Sequence, residues 1–275
     1  MKCLKIVVGV ASVLLASTNV HAGEFSAKLG ALAAFSPDYQ GSDDYQFGGL
    51  PYVSLGWKAD TVVPKGGTGL QLGLHDASLE FPRGIDFGLA KLYRPEGLYR
   101  ANLGFAYNMG RDEDDNTALN GMGEIGGHAL ATVGLSFKPN ESGWGYAISY
   151  TGDLSNETDG ATVDGKISYA YPLSKQVMVS VTGDLVWANQ DHMQSYFGVS
   201  TAQAVSSSNA RFDADSGIKS AGLGVSANWM ISENWMAISN LKYQRLMNDA
   251  ADSPLVTDQG SADQVSASVG LIYAF

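Results

Sequence analysis

His75, His128 and His192 are the histidines outside the first 22 residues, and they are the natural places to look for acid–base or metal chemistry. They lie on separate segments, without the His-x-x-x-His spacing that sets two imidazoles on one helix face around zinc. A Ser–His hydrolase needs hydroxyl and imidazole within hydrogen-bond reach and an acid or amide to orient the ring. His128 is the candidate base, but alternation with Ala129, Ala131, Val133 and Leu135 on the outer face points it inward, as an interior or loop histidine. Gly121-Met122-Gly123-Glu124-Ile125-Gly126 fits the Gly-x-Gly-x-x-Gly nucleotide pattern, yet neither a helix nor a basic residue follows. Asp112-Glu113-Asp114-Asp115-Asn116 suggests calcium, but an EF-hand would place Gly at 117 and Glu at 123, where Thr117 and Gly123 stand. A solvated acidic loop is the better reading. The expectation is a protein with no catalytic residues, no cofactor and no bound metal.

The elements that carry these residues are set by composition and period. The chain has 275 residues, 17 basic and 28 acidic, for a net charge of −11, with 33 glycines and one cysteine. An acidic excess argues against binding a phosphate backbone, and a lone Cys3 excludes a disulfide framework. With 45 % hydrophobic and 16 % charged residues, the chain can bury enough apolar surface to fold. Residues 1–22 read as a cleaved signal peptide: Lys2 and Lys5 form a positive start, Ile6 to Leu15 an apolar stretch, and Val20-His21-Ala22 a small-residue end. That stretch is too short for a helix spanning a bilayer, which needs roughly 20 residues. Residues 23–275 are read as one domain, free of cysteine.

Within that domain, segments of about ten residues alternate strictly between large apolar and small or polar side chains, the period of a β-strand. Val265, Ala267, Val269, Leu271, Tyr273 and Phe275 share one face; Ser266, Ser268 and Gly270 begin the other. Ala221 to Trp229 and Val177 to Trp187 repeat the pattern. Aromatics recur at strand ends, as with Trp57, Trp144, Tyr171 and Trp229, which suits girdles at two lipid interfaces. Short connections (Arg94–Gly97, Lys138–Gly143, Pro172–Lys175, Ile231–Asn234) alternate with mostly long, acidic ones. The pattern predicts an all-β fold, a single closed antiparallel transmembrane β-barrel of about twelve strands. Residues 59–84 are the weak point, because outward Leu70, Leu72 and Leu74 switch parity to Ala77, Leu79 and Phe81. A β-bulge near His75–Asp76 accounts for the switch; other readings of this stretch give ten or fourteen strands.

Four short motifs occur in order along the domain. They are Pro37-Asp38-Tyr39-Gln40-Gly41-Ser42-Asp43-Asp44-Tyr45 with Pro51; Tyr196-Phe197-Gly198-Val199 with Gln203; Tyr243-Gln244-Arg245-Leu246 with Asp249; and Ser253-Pro254-Leu255-Val256. With a terminal aromatic, Phe275, they resemble the MipA/OmpV family over essentially the whole domain. Phe212, within Ser206–Gly217, stands where the family pattern has Tyr. The resemblance implies an outer-membrane protein, described in some members as a scaffold in peptidoglycan remodelling that joins a lytic murein transglycosylase to a murein synthase. With the scarcity of chemistry above, the expectation is a Gram-negative outer-membrane protein without enzymatic activity. Other members of the family act as surface antigens or adhesins. Tyr273 and Phe275 resemble the C-terminal assembly signal of such barrels.

Placing both domain ends on the periplasmic side sends the long loops outward, where Pro37–Phe47, Asp191–Gly217 and Met247–Asp263 should cluster as a cap held by turn residues. The acidic loops would share divalent ions loosely with lipopolysaccharide phosphates. Inward parity sets Lys28, Lys58, Arg100, Lys166 and Lys242 against Glu80, Asp86, Asp164 and Asp184. That balance predicts internal ion pairs, with Lys28, Arg100 and Lys166 facing Asp86, Asp164 and Asp184, rather than a one-signed channel. A narrow small-solute channel and a surface adhesin are the alternative functions.

Overall fold

The computed structural model describes residues 23–59, 68–140 and 142–275; the signal peptide expected at residues 1–22 lies outside them. Twelve strands fill the described residues: β1 (Gly23–Pro37), β2 (Tyr45–Ala59), β3 (Gly69–Phe81), β4 (Gly84–Arg94), β5 (Gly97–Asn108), β6 (His128–Pro139), β7 (Trp144–Asp153), β8 (Ala161–Pro172), β9 (Val177–Ala188), β10 (Gly217–Met230), β11 (Trp235–Leu246) and β12 (Asp263–Ala274). Each is antiparallel to the next, and β1 pairs with β12 from Lys28↔Ala274 to Phe35↔Ala267, so the sheet closes into a barrel. Closure pairs backbone groups that lipid cannot satisfy.

The alternation read from the sequence becomes the barrel's two faces. Leu223, Val225, Val269, Leu271 and Leu185 are exposed on the outside, a belt that only a bilayer would cover. Ser226, Ser268, Asn240 and Thr182 face in. Trp229, Trp235, Trp144 and Tyr171 cluster at the end with the short turns, and Tyr107, Tyr150 and Trp187 lie toward the end with the long loops.

Three register shifts interrupt the ladders: between Leu72 and Asp76 in β3, between Gly88 and Ala90 in β4, and between Ile218 and Ser220 in β10. The first is the bulge expected near His75. β6 starts at His128, after Ile125. Ile125 makes a two-way backbone bridge with Arg111, and its side chain is buried in the cap.

One stretch of wall is low. The β3–β4 hairpin turns at Pro82-Arg83, and β2 pairs with β3 only from Val53↔Phe81 to Lys58↔Asp76. The Tyr45–Tyr52 half of β2 therefore pairs with β1 alone. Pro51 falls in that half, where its missing N–H costs no ladder bond.

Candidate functional site, a capped vestibule

The loop end of the barrel is roofed. The connection β9–β10 carries helices α1 (Gln190–Phe197) and α2 (Thr201–Ser206), and the connection β11–β12 carries α3 (Asp249–Asp252) and α4 (Pro254–Thr257). Met193, Phe197, Leu246 and Val256 form one buried apolar cluster of the cap; Tyr39, Leu119, Met122, Val199 and Leu255 form a second. Phe212 packs against both, and its backbone bridges Val199. Burying each large side chain stabilises the cap by about 1.5–3 kcal/mol.

The motif residues are distributed through this cap. Pro37 ends β1. The buried Tyr39 hydroxyl donates to the carbonyls of Leu255 (3.0 Å) and Gln259 (3.2 Å); burial, reinforced by Asp43, pushes its pKa up to about 12, so it stays a donor. Gly41 has φ +106°, and a Cβ there would fall 2.5 Å from a Val256 methyl, so glycine is needed for both backbone and space. Ser42 bridges Gly260, and Tyr45 stacks on Phe35 with ring centroids 4.7 Å apart. The Tyr196 hydroxyl accepts from Asn108 at 2.9 Å. Fully buried Ser253 caps α4 and donates to the Phe197 carbonyl at 2.6 Å, just before Gly198. Gln203 closes a capping box with Ser200 and reaches the Met122 carbonyl at 2.6 Å. Asp249 accepts from the Asp215 amide at 2.6 Å, and Pro254 opens α4. Arg245 stands apart on the outer wall, paired with Asp263 at 2.7 Å. At the other end, Tyr273 and Phe275 meet edge to face at 5.1 Å.

The two segments that suggested ligand chemistry bind each other. Glu113 accepts from the amides of Gly121 and Gly123 at 3.2 and 3.1 Å, and Glu157 accepts from Gly126 at 2.7 Å. Carboxylates of the chain thus occupy donors that a phosphate would need. His128 is buried with Nδ1 2.9 Å from the Gly126 carbonyl oxygen.

The lumen ion pairs differ from those expected. Arg100 chelates Asp76 at 2.7 and 2.8 Å, while Asp86 accepts from Asn102 at 2.6 Å. Asp184 pairs with Lys242 at 3.0 Å, and Lys166 lies 3.8 Å from Asp164 on its own strand. Lys28 has no ion pair within 4 Å among the described residues. The physical reason is a glycine between the partners. A Cβ at Gly88 would strike Asp76, and one at Gly222 would strike both Asp184 and Lys242. Each glycine opens a gap through which charges two strands apart meet. Three lumen charges, Asp76, Lys91 and Lys219, were not anticipated, and each lies at or just beyond a register shift, where parity extrapolation fails. The signal available was the break in alternation itself.

Beneath the cap lies a cavity of about 470 Å³, lined by Tyr39, Gln40, Arg111, Tyr196, Lys219 and Leu246 among others. Lys219 is 8 % exposed; its ammonium donates to Gln40 Oε1 at 3.3 Å and lies 3.2 Å from His192 Nε2. Burial, with Lys219 beside it, holds the His192 pKa down at about 3, so the ring is neutral and accepts that bond. Arg111 is 7 % exposed and donates to the Tyr196 carbonyl at 3.0 Å; its buried Nε has no hydrogen-bond partner. Burial lowers the Arg111 pKa and raises that of Tyr196.

A closed barrel with an outward apolar belt and a plugged loop end defines an outer-membrane β-barrel protein. The family model described as MltA-interacting protein MipA matches residues 29–275. The chain belongs to that family and is an outer-membrane protein. No curated protein sequence matches it. Among solved structures it is similar to OmpT of Vibrio cholerae (11 % identity, 94 % of this chain and 99 % of that one, TM-score 0.40). It is also similar to OprB of Pseudomonas putida (10 %, 92 % and 94 %, TM-score 0.45) and to an anion-selective porin from Comamonas acidovorans (11 %, 92 % and 99 %, TM-score 0.41).

Proposed function

We propose that this protein is a non-enzymatic docking platform in the outer membrane that holds a lytic murein transglycosylase, and through it a murein synthase, at the periplasmic face. The observation that carries the reading is the roofed loop end. Two packed apolar clusters fill the place where a general pore would be open, so the barrel is built for anchorage rather than free passage. The family description, MltA-interacting protein, supports a transglycosylase partner. In this reading the partner meets the turn end, where Arg94–Gly97, residues 173–176 and residues 231–234 join strands closely, giving a small, rigid surface. The test is site-specific photocrosslinking in cells from positions 96, 174 and 233, followed by identification of the adducts. Capture of a lytic transglycosylase from these turns, and not from loop positions 114 or 258, is expected. Capture from the loop end alone, or from neither end, would overturn the proposal.

A further inference from the structure

Among the described residues three cations are buried, Lys91, Arg111 and Lys219, and Lys91 has a carboxylate beside it, as do the half-exposed Arg100 and Lys242. Lys91 and Arg100 share Asp76, and Lys242 has Asp184. Lys219 and Arg111 do not: among the described residues neither has a carboxylate oxygen within 4 Å. Both are more than nine-tenths buried, and both line the same cavity. A buried charge without a counter-charge is strongly destabilising, and folded proteins rarely keep one without a use.

The placement of Lys219 is itself built. In regular alternation with inward Ser220, Gly222 and Gly224, residue 219 would face lipid. The register shift between Ile218 and Ser220 sets Lys219 and Ser220 together opposite Val186 on the inner face, the use to which bulges are put when a side chain must be re-aimed. Two acceptors take two of the three ammonium hydrogens, Gln40 Oε1 and the neutral His192 ring, leaving one for the cavity. Arg111 is fixed as firmly. It follows Gly110, whose φ is +83°, its backbone is bridged to Ile125 in both directions, and one terminal nitrogen is tied to Tyr196. Its Nε is buried without a hydrogen-bond partner.

The nearby carboxylates stay outside ion-pair distance: Asp115, exposed on the cavity wall, acts on Arg111 and Asp164 acts on Lys219 only through space, and Asp38 accepts from Asn116 at 3.0 Å. At about 470 Å³ the cavity falls within the size range of small-molecule sites.

We infer that the vestibule beneath the cap binds a small solute carrying an oxyanion, a carboxylate or phosphate group, between Lys219 and Arg111. The guanidinium supplies a directional donor and the ammonium a point charge. Tyr39, Tyr196 and Leu246 leave a mixed wall for the body of the solute. The site is independent of the periplasmic docking reading, since it lies at the opposite end of the barrel.

Purified protein in detergent, at ionic strength held constant with sodium chloride, is titrated with inorganic phosphate and with citrate. Equilibrium dialysis reads binding and a thermal melt reads stability. Saturable binding of at least one probe is expected, weakened at least about tenfold in Lys219→Met and in Arg111→Gln, the loss of one charge-assisted bond. Without anion, Lys219→Met is expected to melt no lower than the native chain, because an unpaired buried charge has been removed. No saturable binding by the native protein up to about 10 mM overturns the proposal. Equal binding in both variants, or a Lys219→Met protein that melts lower or fails to fold, overturns it too, since the lysine would then be structural.

Discussion

Asp76→Asn offers a sharp test of how charge is stored in the barrel wall. The Asp76 carboxylate takes Lys91 at 3.1 Å and Arg100 at 2.7 Å. The two partners differ in what they can do without it. Arg100 keeps 40 % of its side chain exposed and can turn to water, so its share is under about 1 kcal/mol. The Lys91 side chain is 7 % exposed and has no such escape; breaking a buried pair by removing one partner costs about 3–5 kcal/mol. Asparagine still offers an acceptor oxygen, so the expected loss is near the lower end, about 3 kcal/mol. The assay is urea unfolding in lipid vesicles, followed by the heat-modifiable gel shift. Lys91→Met in the Asp76→Asn background should recover most of the loss, because an apolar replacement for a buried pair is often neutral. A loss below about 1 kcal/mol, or no recovery on adding Lys91→Met, would show that the ammonium is not confined as the geometry requires.

Other consequences can be checked with the same preparations. Val225→Arg, on the lipid face, should cost about 2–4 kcal/mol near mid-membrane, while Ser226→Arg, on the lumen face, should cost clearly less; equal costs in vesicle titrations would remove the parity argument. Deleting Phe275, which closes the outer aromatic row beside Tyr273, should lower the assembled fraction in the outer membrane, scored by heat modifiability, and undiminished levels would refute an assembly role. The cap should loosen in acid. His192 has its pKa lowered from 6.5 to about 3 by burial, so between those values the unfolded chain binds the extra proton and cap stability falls as pH falls, by about 1.4 kcal/mol per unit. Limited proteolysis of the 189–216 loop should reveal this slope, and His192→Gln should flatten it. Intact protein in planar bilayers should conduct little, whereas removing residues 200–216, which takes out Phe212 and Ala214 from the cap clusters, should raise conductance; large steady currents from the intact chain would favour a channel.

The barrel was legible because lipid imposes the simplest rule in protein structure, large apolar residues on every second position. Even the parity switch at Leu74 to Ala77 was a readable bulge. The clustering of the three motif loops followed from closure, since β1 and β12 become neighbours and bring Gly41 to Ser261. Partners of lumen charges were less legible. Parity says which face a charge occupies, but Asp184 chooses between registered Lys166 and distant Lys242 through the space left by Gly222, a three-strand property. Burial inside the cap was least legible, because Tyr39, Phe197 and Ser253 gain their surroundings from loops more than 50 residues apart.

The lumen charges missed, Asp76, Lys91 and Lys219, share one cause, and it links the fold to its chemistry. In a strand with strict alternation a lysine near the loop end either faces the lipid interface, at a cost of about 0–1 kcal/mol, or faces the lumen in step with its neighbours. Outward Leu223 and Val225 and inward Gly222 and Gly224 fix the parity of β10 from Ser220 onward, which assigns position 219 to lipid. One extra residue on β10 against β9 reverses that assignment for Lys219 without disturbing anything below it. In β4 the same device, between Gly88 and Ala90, turns Lys91 onto Asp76. The two bulges therefore have opposite electrostatic outcomes. Lys91 is re-aimed onto a carboxylate and closes a pair that stiffens the wall, while Lys219 is re-aimed into a cavity beside Arg111, with no carboxylate within ion-pair distance of either. A bulge that served stability alone would have ended as the first does.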